Sequence, residues 1–207
     1  MISGPTGCEK SSLVWEISKR LSESFDRPPK RLVYCYSRYQ PLYDEMKKNS
    51  PIPAHFIEGL PKDLKLSPRT LLVIDDLQGA DNSSQITDFF TKNSHHFDVD
   101  VIYLCQNLFL NTPHHRTCNL NTHVLIIFKN PRDKMQIIAL AKQISPNNNK
   151  FIMDAYRHAT EKPHGYLLFN LQQHTKEHLR IRDSFFPKEA HFYVDRKDFT
   201  VTNLENI

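Results

Sequence analysis

The first residues of the chain have the types and spacing of a loop that binds phosphate. Gly4, Lys10 and Ser11 match the pattern G-x-x-x-x-G-K-[ST], except that Glu9 stands where the second glycine is expected. Glycine lets a backbone approach phosphate closely, lysine contacts phosphate oxygens, and a serine hydroxyl is a ligand for Mg²⁺. The pattern predicts ATP and Mg²⁺ as cofactors, with Lys10 in a catalytic role and Ser11 as a metal ligand. The residues expected to contact the nucleotide are Gly4, Pro5, Thr6, Gly7, Cys8, Glu9, Lys10, Ser11 and Ser12.

Glu9 is the departure from this pattern, and it places hydrolysis in question. Its Cβ lies where the backbone should approach phosphate, and its carboxylate brings a negative charge close to an anion. At separations of about 4–6 Å and an effective dielectric of about 20, two such charges repel by about 3–4 kcal/mol. We therefore expect nucleotide binding roughly a hundredfold weaker than that of an intact loop, unless the side chain turns to solvent.

A second motif combines an apolar run with two acids. Residues 71–74 are continuously apolar, which indicates a buried parallel strand, and Asp75 and Asp76 follow directly. Ligands bind at the carboxyl ends of strands in α/β folds. We expect this strand beside the strand of the phosphate loop, with Asp75 holding Mg²⁺ through water and Asp76 acting as general base. The motif is weak alone and stronger together with the upstream loop.

A third polar residue ends a further apolar run. Gln106 follows residues 101–105 and could contact the γ-phosphate or orient the attacking water. The alternative is that Gln106 and Asn107 only end the strand and begin a loop.

The elements that must position these residues alternate between strand and helix. Apolar runs predict strands over 31–36, 54–57, 71–74, 99–104, 124–128 and 166–171, and helical spacing predicts helices over 10–24, 42–48, 86–92, 132–144 and 151–159. Only Met1 and Ile2 precede the loop, so we expect a short or truncated first strand. This alternation is typical of an α/β fold with a mostly parallel sheet and helices on both faces.

Composition sets limits on the setting of the protein. The 207 residues carry a net charge of +4, which permits contact with nucleic acid without requiring it. The sequence contains no apolar run long enough to span a membrane, and its four cysteines lack zinc spacing. Its first residues lack a charged head followed by an apolar stretch, so we expect no signal peptide. We expect an intracellular protein that is not secreted and has no membrane partner.

Several further segments, in order along the chain, resemble a known family. They are Gln106-Asn107-Leu108-Phe109, Arg116-Thr117, Asn119-Leu120-Asn121-Thr122-His123, Phe128-Lys129-Asn130-Pro131-Arg132-Asp133 and Lys162-Pro163-His164-Gly165-Tyr166-Leu167-Leu168. With the phosphate loop and the Asp75 motif, they resemble the FtsK–HerA group of P-loop ATPases, and within it the genome-packaging ATPases of large DNA viruses and polinton (Maverick) transposons. The resemblance covers residues 2–171, so we expect an ATPase core over 1–171 and a peripheral C-terminal extension over 172–207.

The resemblance implies a RecA-like core with an extra strand between the strands of the loop and of Asp75. It implies a ring of identical subunits that uses ATP hydrolysis to move double-stranded DNA into a capsid, with capsid or portal proteins as partners, in the nucleus or at a viral assembly site.

The resemblance also assigns roles to individual residues. Lys10 and Ser11 match the phosphate and Mg²⁺ ligands, Asp75 the second metal position, and Asp76 and Gln106 the catalytic acid and glutamine. Arg116 or Arg132 matches an arginine finger that reaches a neighbouring subunit's nucleotide. For both arginines the alternative is an ordinary surface ion pair or helix start, with Asp133 as a partner for Arg132.

Other functions stay open at this point. One alternative is a catalytically inactive remnant of such a motor, which Glu9 favours. Another is a non-enzymatic module that binds capsid proteins or DNA. A small-molecule kinase shares the phosphate loop, but the third strand ending in Gln106 fits the motor group better.

Overall fold

The computed structural model describes residues 1–62, 64–77, 83–93, 98–110 and 112–195, and every statement below refers to these residues. The strands are β1 (Ile2–Ser3), β2 (Arg31–Tyr36), β3 (Ala54–Glu58), β4 (Thr70–Asp75), β5 (Val99–Cys105), β6 (Val124–Phe128), β7 (Tyr166–Asn170), β8 (Ile181–Arg182) and β9 (Phe192–Tyr193). The helices are α1 (Lys10–Lys19), α2 (Leu21–Ser24), α3 (Leu42–Asn49), α4 (Ser83–Asp88), α5 (Pro113–Leu120), α6 (Met135–Ile144) and α7 (Asn149–Ala159). A π-helical turn, Phe89–Asn93, continues α4.

All the described strands join one mixed sheet in the order β3-β2-β4-β5-β1-β6-β7-β8-β9. The pairs from β3 to β6 are parallel, and the pairs from β6 to β9 are antiparallel. The predicted α/β class with a mostly parallel sheet is confirmed.

The strand order separates the two motif strands by one strand. The phosphate-loop strand β1 pairs with β5 and β6, whereas β4, which ends in Asp75, pairs with β2 and β5. The expectation that the Asp75 strand lies beside the loop strand is therefore wrong. The intervening strand is β5, which leads into Gln106, and an intervening strand is what the family resemblance implied.

Apolar side chains cover both faces of the sheet, because successive strand residues point to opposite sides. Leu71 and Val73 join one cluster with buried residues of α1 and α3, while Leu72 and Ile74 join the other. That second cluster takes in buried residues of α4, α5, α6 and α7. The expectation of helices on both faces is confirmed.

Several boundaries differ from the expected ones for local reasons. The first helix is interrupted at Arg20, whose φ of −115° and ψ of 48° are not helical. The helix α6 begins at Met135 instead of residue 132. Helix α5 was not predicted, although Thr112 caps it by accepting a hydrogen bond from the His115 amide and Pro113 occupies its first turn.

The sheet continues beyond residue 171 through β8 and β9. Ile181 and Phe186 of this segment are buried, and the Arg20 guanidinium lies 3.5 Å from the centre of the Phe186 ring. Arg20 also donates a hydrogen bond of 2.8 Å to Glu189. Residues 181–193 therefore pack against both the sheet and the junction of α1 with α2, while residues 196–207 of the expected extension lie outside the described part. Among the described helices, none has the length and apolar character needed to cross a membrane.

Candidate functional site

The phosphate-loop candidate leaves β1 in a tightly packed turn. The Gly4 amide donates a hydrogen bond of 3.1 Å to the carbonyl of Cys105 at the end of β5. A Cβ at Gly4 would lie 2.7 Å from both Cys8 Sγ and Phe128 Cβ. Such contacts are far inside van der Waals distance, so the space between β1 and β6 itself requires glycine at this position.

Two loop residues adopt left-handed backbone conformations. Gly7 has a φ of 79°, and Glu9 has a φ of 76°. Left-handed φ is natural for glycine and unfavourable for glutamate, because Cβ approaches the following carbonyl oxygen. The exposed Glu9 carboxylate accepts a hydrogen bond from the Ser12 hydroxyl. The side chain thus turns toward the first turn of α1 and solvent, and the strained element at this position is the backbone.

The loop presents hydrogen-bond donors at the start of α1. Lys10 Nζ donates to the carbonyls of Gly4 at 2.7 Å and Pro5 at 3.0 Å. Within the described part of the chain, no backbone carbonyl accepts a hydrogen bond from the amides of Gly7 and Glu9. Unpaired amides at the N-terminus of a ten-residue helix, next to an ammonium group, form an arrangement that binds anions.

Asp75 lies next to the loop although 64 residues separate it from Ser11. It is only 5% exposed, and its Oδ2 accepts hydrogen bonds from Ser11 Oγ at 3.1 Å, Tyr34 OH at 2.7 Å and Tyr43 OH at 3.1 Å. No lysine, arginine or histidine of the described residues forms an ion pair with this carboxylate. A buried carboxylate without a cationic partner is costly, so the position suits a bound cation.

The tyrosines that contact Asp75 were not identified from the sequence. Burial, followed by the negative charge of Asp75, raises the pKa of Tyr34 well above its ordinary value, and the same causes raise the pKa of Tyr43. Both hydroxyls therefore keep their protons and act as donors. Their place becomes visible only in the strand pairing, where Tyr36 pairs with Asp75 and Tyr34 lies on the same face two residues earlier.

Asp76 and Gln106 meet at the ends of neighbouring strands. Gln106 Nε2 donates a hydrogen bond of 2.8 Å to Asp76 Oδ2, and the Asp76 backbone has a left-handed φ of 54°. Gln106 is exposed and Asp76 half-buried, so both side chains are accessible from solvent. Gln106 thus contacts the carboxylate that is expected to act as general base.

The loop that follows Gln106 is fixed by two helices. The Leu108 amide donates a hydrogen bond of 2.8 Å to Gln136 Oε1, and the Leu108 carbonyl accepts one of 3.2 Å from Asn119 Nδ2. Gln136 Nε2 donates in turn to Asp133 Oδ2 at 2.7 Å. We call Leu108, Asn119, Gln136 and Asp133 the Leu108 clamp. It connects the loop after β5 to α5 and α6, and all its members lie within residues 2–171, which the resemblance covers.

The two candidate finger arginines are both exposed. Arg116 lies on α5 and Arg132 in the turn before α6, and neither side chain has a hydrogen-bond or ion-pair partner among the described residues. The alternative pairing of Arg132 with Asp133 is not formed. Asp133 instead accepts a hydrogen bond of 3.0 Å from the amide of Met135, the first residue of α6.

The possible metal ligands are few. No group of three or more His, Cys, Asp or Glu side chains in the described ranges could hold a metal ion by itself. Ser11 and Asp75 nevertheless suit Mg²⁺ bound together with a nucleotide, because this ion commonly takes one or two carboxylates and completes its shell with phosphate oxygens and water. Of the expected site residues, the structure thus brings together the loop, Ser11 and Asp75, and separately Asp76 and Gln106.

Comparison with known proteins does not add to this picture. No model of a protein family matches the chain, and a search of curated proteins found no match.

Proposed function

We propose that the chain binds a nucleoside triphosphate with Mg²⁺ through the loop of residues 4–12, as the core of a RecA-like P-loop ATPase. The observation that carries the proposal is the contact between Ser11 and Asp75. It joins the hydroxyl of the phosphate loop to a buried carboxylate that lacks a cationic partner among the described residues. The strand order, with β5 between β1 and β4, supports the same assignment.

Each side chain has a defined task in this proposal. Lys10 leaves its loop carbonyls to contact phosphate oxygens, and Ser11 with Asp75 holds Mg²⁺, which would stabilise negative charge on the phosphates. Asp76, held by Gln106, accepts a proton from the water that attacks the γ-phosphorus, while the bond from that phosphorus to the β–γ bridging oxygen breaks and the nucleoside diphosphate leaves. The exposed Arg116 or Arg132 contacts the nucleotide of an adjacent copy, where such an arginine can contribute about 10³–10⁵ to the rate.

The more specific proposal is a motor that packages double-stranded DNA into capsids. It rests on the family resemblance of residues 2–171. Two consequences can be measured: double-stranded DNA should raise the rate of ATP hydrolysis, and ATP should convert the chain from monomers to rings. A hydrolysis rate that DNA does not change, together with a chain that stays monomeric with ATP, would contradict the motor while leaving nucleotide binding intact.

Nucleotide binding is tested by thermal unfolding with and without ATP and Mg²⁺. Ligand at a hundred times its dissociation constant should stabilise the fold by about 2.7 kcal/mol. Lys10→Ala and Asp75→Asn should remove this gain. Lys19→Ala is the matched control, because Lys19 lies at the other end of α1, where its ammonium group pairs with exposed Glu16 and lies 5.3 Å from the centre of the Trp15 ring. The proposal would be refuted if ATP and Mg²⁺ stabilised Lys10→Ala as much as Lys19→Ala, or if they did not stabilise the unaltered protein.

The second candidate is an inactive remnant that retains the fold without hydrolysing ATP. The observation that favours it is Glu9, which combines a carboxylate with a left-handed backbone at the glycine position of the loop. Hydrolysis by Glu9→Gly but not by the unaltered chain would support this candidate. Hydrolysis by the unaltered chain would exclude it.

A further inference from the structure

We propose that Tyr34 and Tyr43 are positioning residues for the metal-binding carboxylate, and that they set how strongly nucleotide binding depends on Mg²⁺. This inference rests on the proposed function and deepens it. It adds to the site two side chains from elements outside the phosphate loop and the Asp75 motif.

The two tyrosine hydroxyls donate to the same oxygen of the Asp75 carboxylate, so its two oxygens have different surroundings. Oδ2 accepts hydrogen bonds from Tyr34 at 2.7 Å, from Tyr43 at 3.1 Å and from Ser11 at 3.1 Å. No described residue donates a hydrogen bond to Oδ1. This oxygen is also not one of the fully buried side-chain atoms that lack a hydrogen-bond partner. Asp75 is thus held by one oxygen, which leaves the other oxygen as the one to face a cation or metal-bound water.

The tyrosines come from separate elements, so they fix the carboxylate from two directions. Tyr34 lies in β2 beside β4, and Tyr43 lies on α3. Both are completely buried, and their rings pack 4.9 Å apart, centre to centre. A hydroxyl carried by a buried ring has little rotational freedom, so each donor keeps its place when the site is empty.

The Ser11 hydroxyl keeps its capacity for a cation in this arrangement. A hydroxyl has one proton and two acceptor lone pairs, and here the proton goes to Asp75. Because the tyrosines hold Asp75 in place, they also hold the oxygen that accepts the Ser11 proton. The direction of the Ser11 lone pairs is thereby fixed as well. Partners of this kind raise metal affinity by orienting the direct ligands, and their loss commonly reduces it about 10–100-fold.

The chain offers a closely matched control in Tyr36. It lies two residues after Tyr34 on the same face of β2, and its ring packs 5.0 Å from that of Tyr43. Its hydroxyl forms no hydrogen bond with Asp75. Tyr36→Phe and Tyr34→Phe therefore remove the same atom from neighbouring positions, and only the second removes a donor to the carboxylate.

The experiment measures binding of a fluorescent ATP analogue while Mg²⁺ is titrated, and again in EDTA. Tyr34→Phe should raise the Mg²⁺ concentration at half-maximal binding about 10–100-fold, and Tyr43→Phe should raise it less because its bond is longer. Tyr36→Phe should match the unaltered protein. Binding in EDTA should be equal in all four proteins. Near-ultraviolet circular dichroism checks that each variant is folded, and Tyr43→Phe provides the test if Tyr34→Phe does not fold.

The outcomes separate this inference from the proposed function. The positioning role alone is overturned if the unaltered protein binds the analogue with Mg²⁺ and the Tyr34→Phe and Tyr43→Phe variants have the same Mg²⁺ midpoint as Tyr36→Phe. Equal weakening with Mg²⁺ and in EDTA also overturns it, because the tyrosines would then act on the loop as a whole. An unaltered protein that does not bind the analogue overturns both.

Discussion

Replacing Glu9 by glycine should improve both the stability of the empty protein and its affinity for nucleotide, for two different reasons. Glu9 holds a φ of 76°, which is unfavourable for a residue with a Cβ by about 1–2 kcal/mol. Glycine would remove this cost. About half of the gain in stability is lost again, because glycine gives up the exposed contact with Ser12 and has more freedom in the unfolded chain. A net gain of about 1 kcal/mol corresponds to a rise in Tm of about 2–4 °C for a chain of this size.

The effect on affinity comes from the charge and is smaller than the sequence indicates. The Glu9 side chain is exposed and turned toward Ser12, so water screens it. With a dielectric near that of water, repulsion at about 4 Å is about 1 kcal/mol. Removing it should tighten nucleotide binding about fivefold.

Glu9→Gln separates the two effects because glutamine keeps the Cβ and loses the charge. It should bind nucleotide about as tightly as Glu9→Gly and show the Tm of the unaltered protein. The assay is thermal unfolding of each protein without ligand, followed by titration with ATP and Mg²⁺. A glycine variant with no higher Tm would refute the backbone argument. A glutamine variant with unchanged affinity would refute the charge argument.

Three further predictions concern the fold around the site. Phe186→Ala should lower the free energy of unfolding by about 3–5 kcal/mol, measured in urea, because it empties a buried position beneath Arg20. A loss below about 1 kcal/mol would show that residues 181–193 are not packed as described. Gln136→Ala should cost about 1–3 kcal/mol in the same assay, because it leaves the buried Leu108 amide unpaired; an unchanged midpoint would contradict the Leu108 clamp. The raised pKa of Tyr34 means that the folded state keeps a proton that the unfolded state loses above about pH 10. The free energy of unfolding should therefore fall as the pH rises above about 10, and Tyr34→Phe should make this fall less steep by about 1.4 kcal/mol per pH unit. Equal slopes in the two proteins would contradict the burial of this hydroxyl.

Much of the fold follows from local patterns of burial. The apolar runs that become β2, β4, β5, β6 and β7 were predicted within one or two residues, because a strand covered on both faces must be apolar throughout. The strands β8 and β9 are only two residues long and show no such pattern. Helix α5 is mostly polar, and its start is marked only by Thr112 and Pro113.

The site shows the same division between local and distant information. Ser11 and Asp75 could be related from their motifs, because each motif has a fixed place at the carboxyl end of a strand. Tyr34 and Tyr43 could not, because a tyrosine in an apolar element is usually a packing residue and the partner of its hydroxyl depends on tertiary structure. The left-handed φ of Glu9 is likewise a property of the folded loop, since glutamate itself has no preference for that conformation.

The Leu108 clamp offers a structural reason for part of the sequence resemblance. Its residues hold backbone groups and helix ends, so selection for folding alone would preserve Asn119 and Asp133 in a lineage that had stopped hydrolysing ATP. The segments that carry the resemblance can therefore persist through their part in the fold, whereas loop positions that serve only a nucleotide are free to change once hydrolysis brings no advantage. If the chain descends from an active ATPase, change is expected first at Glu9 and last at Gly4, Asn119 and Asp133, which the fold itself requires.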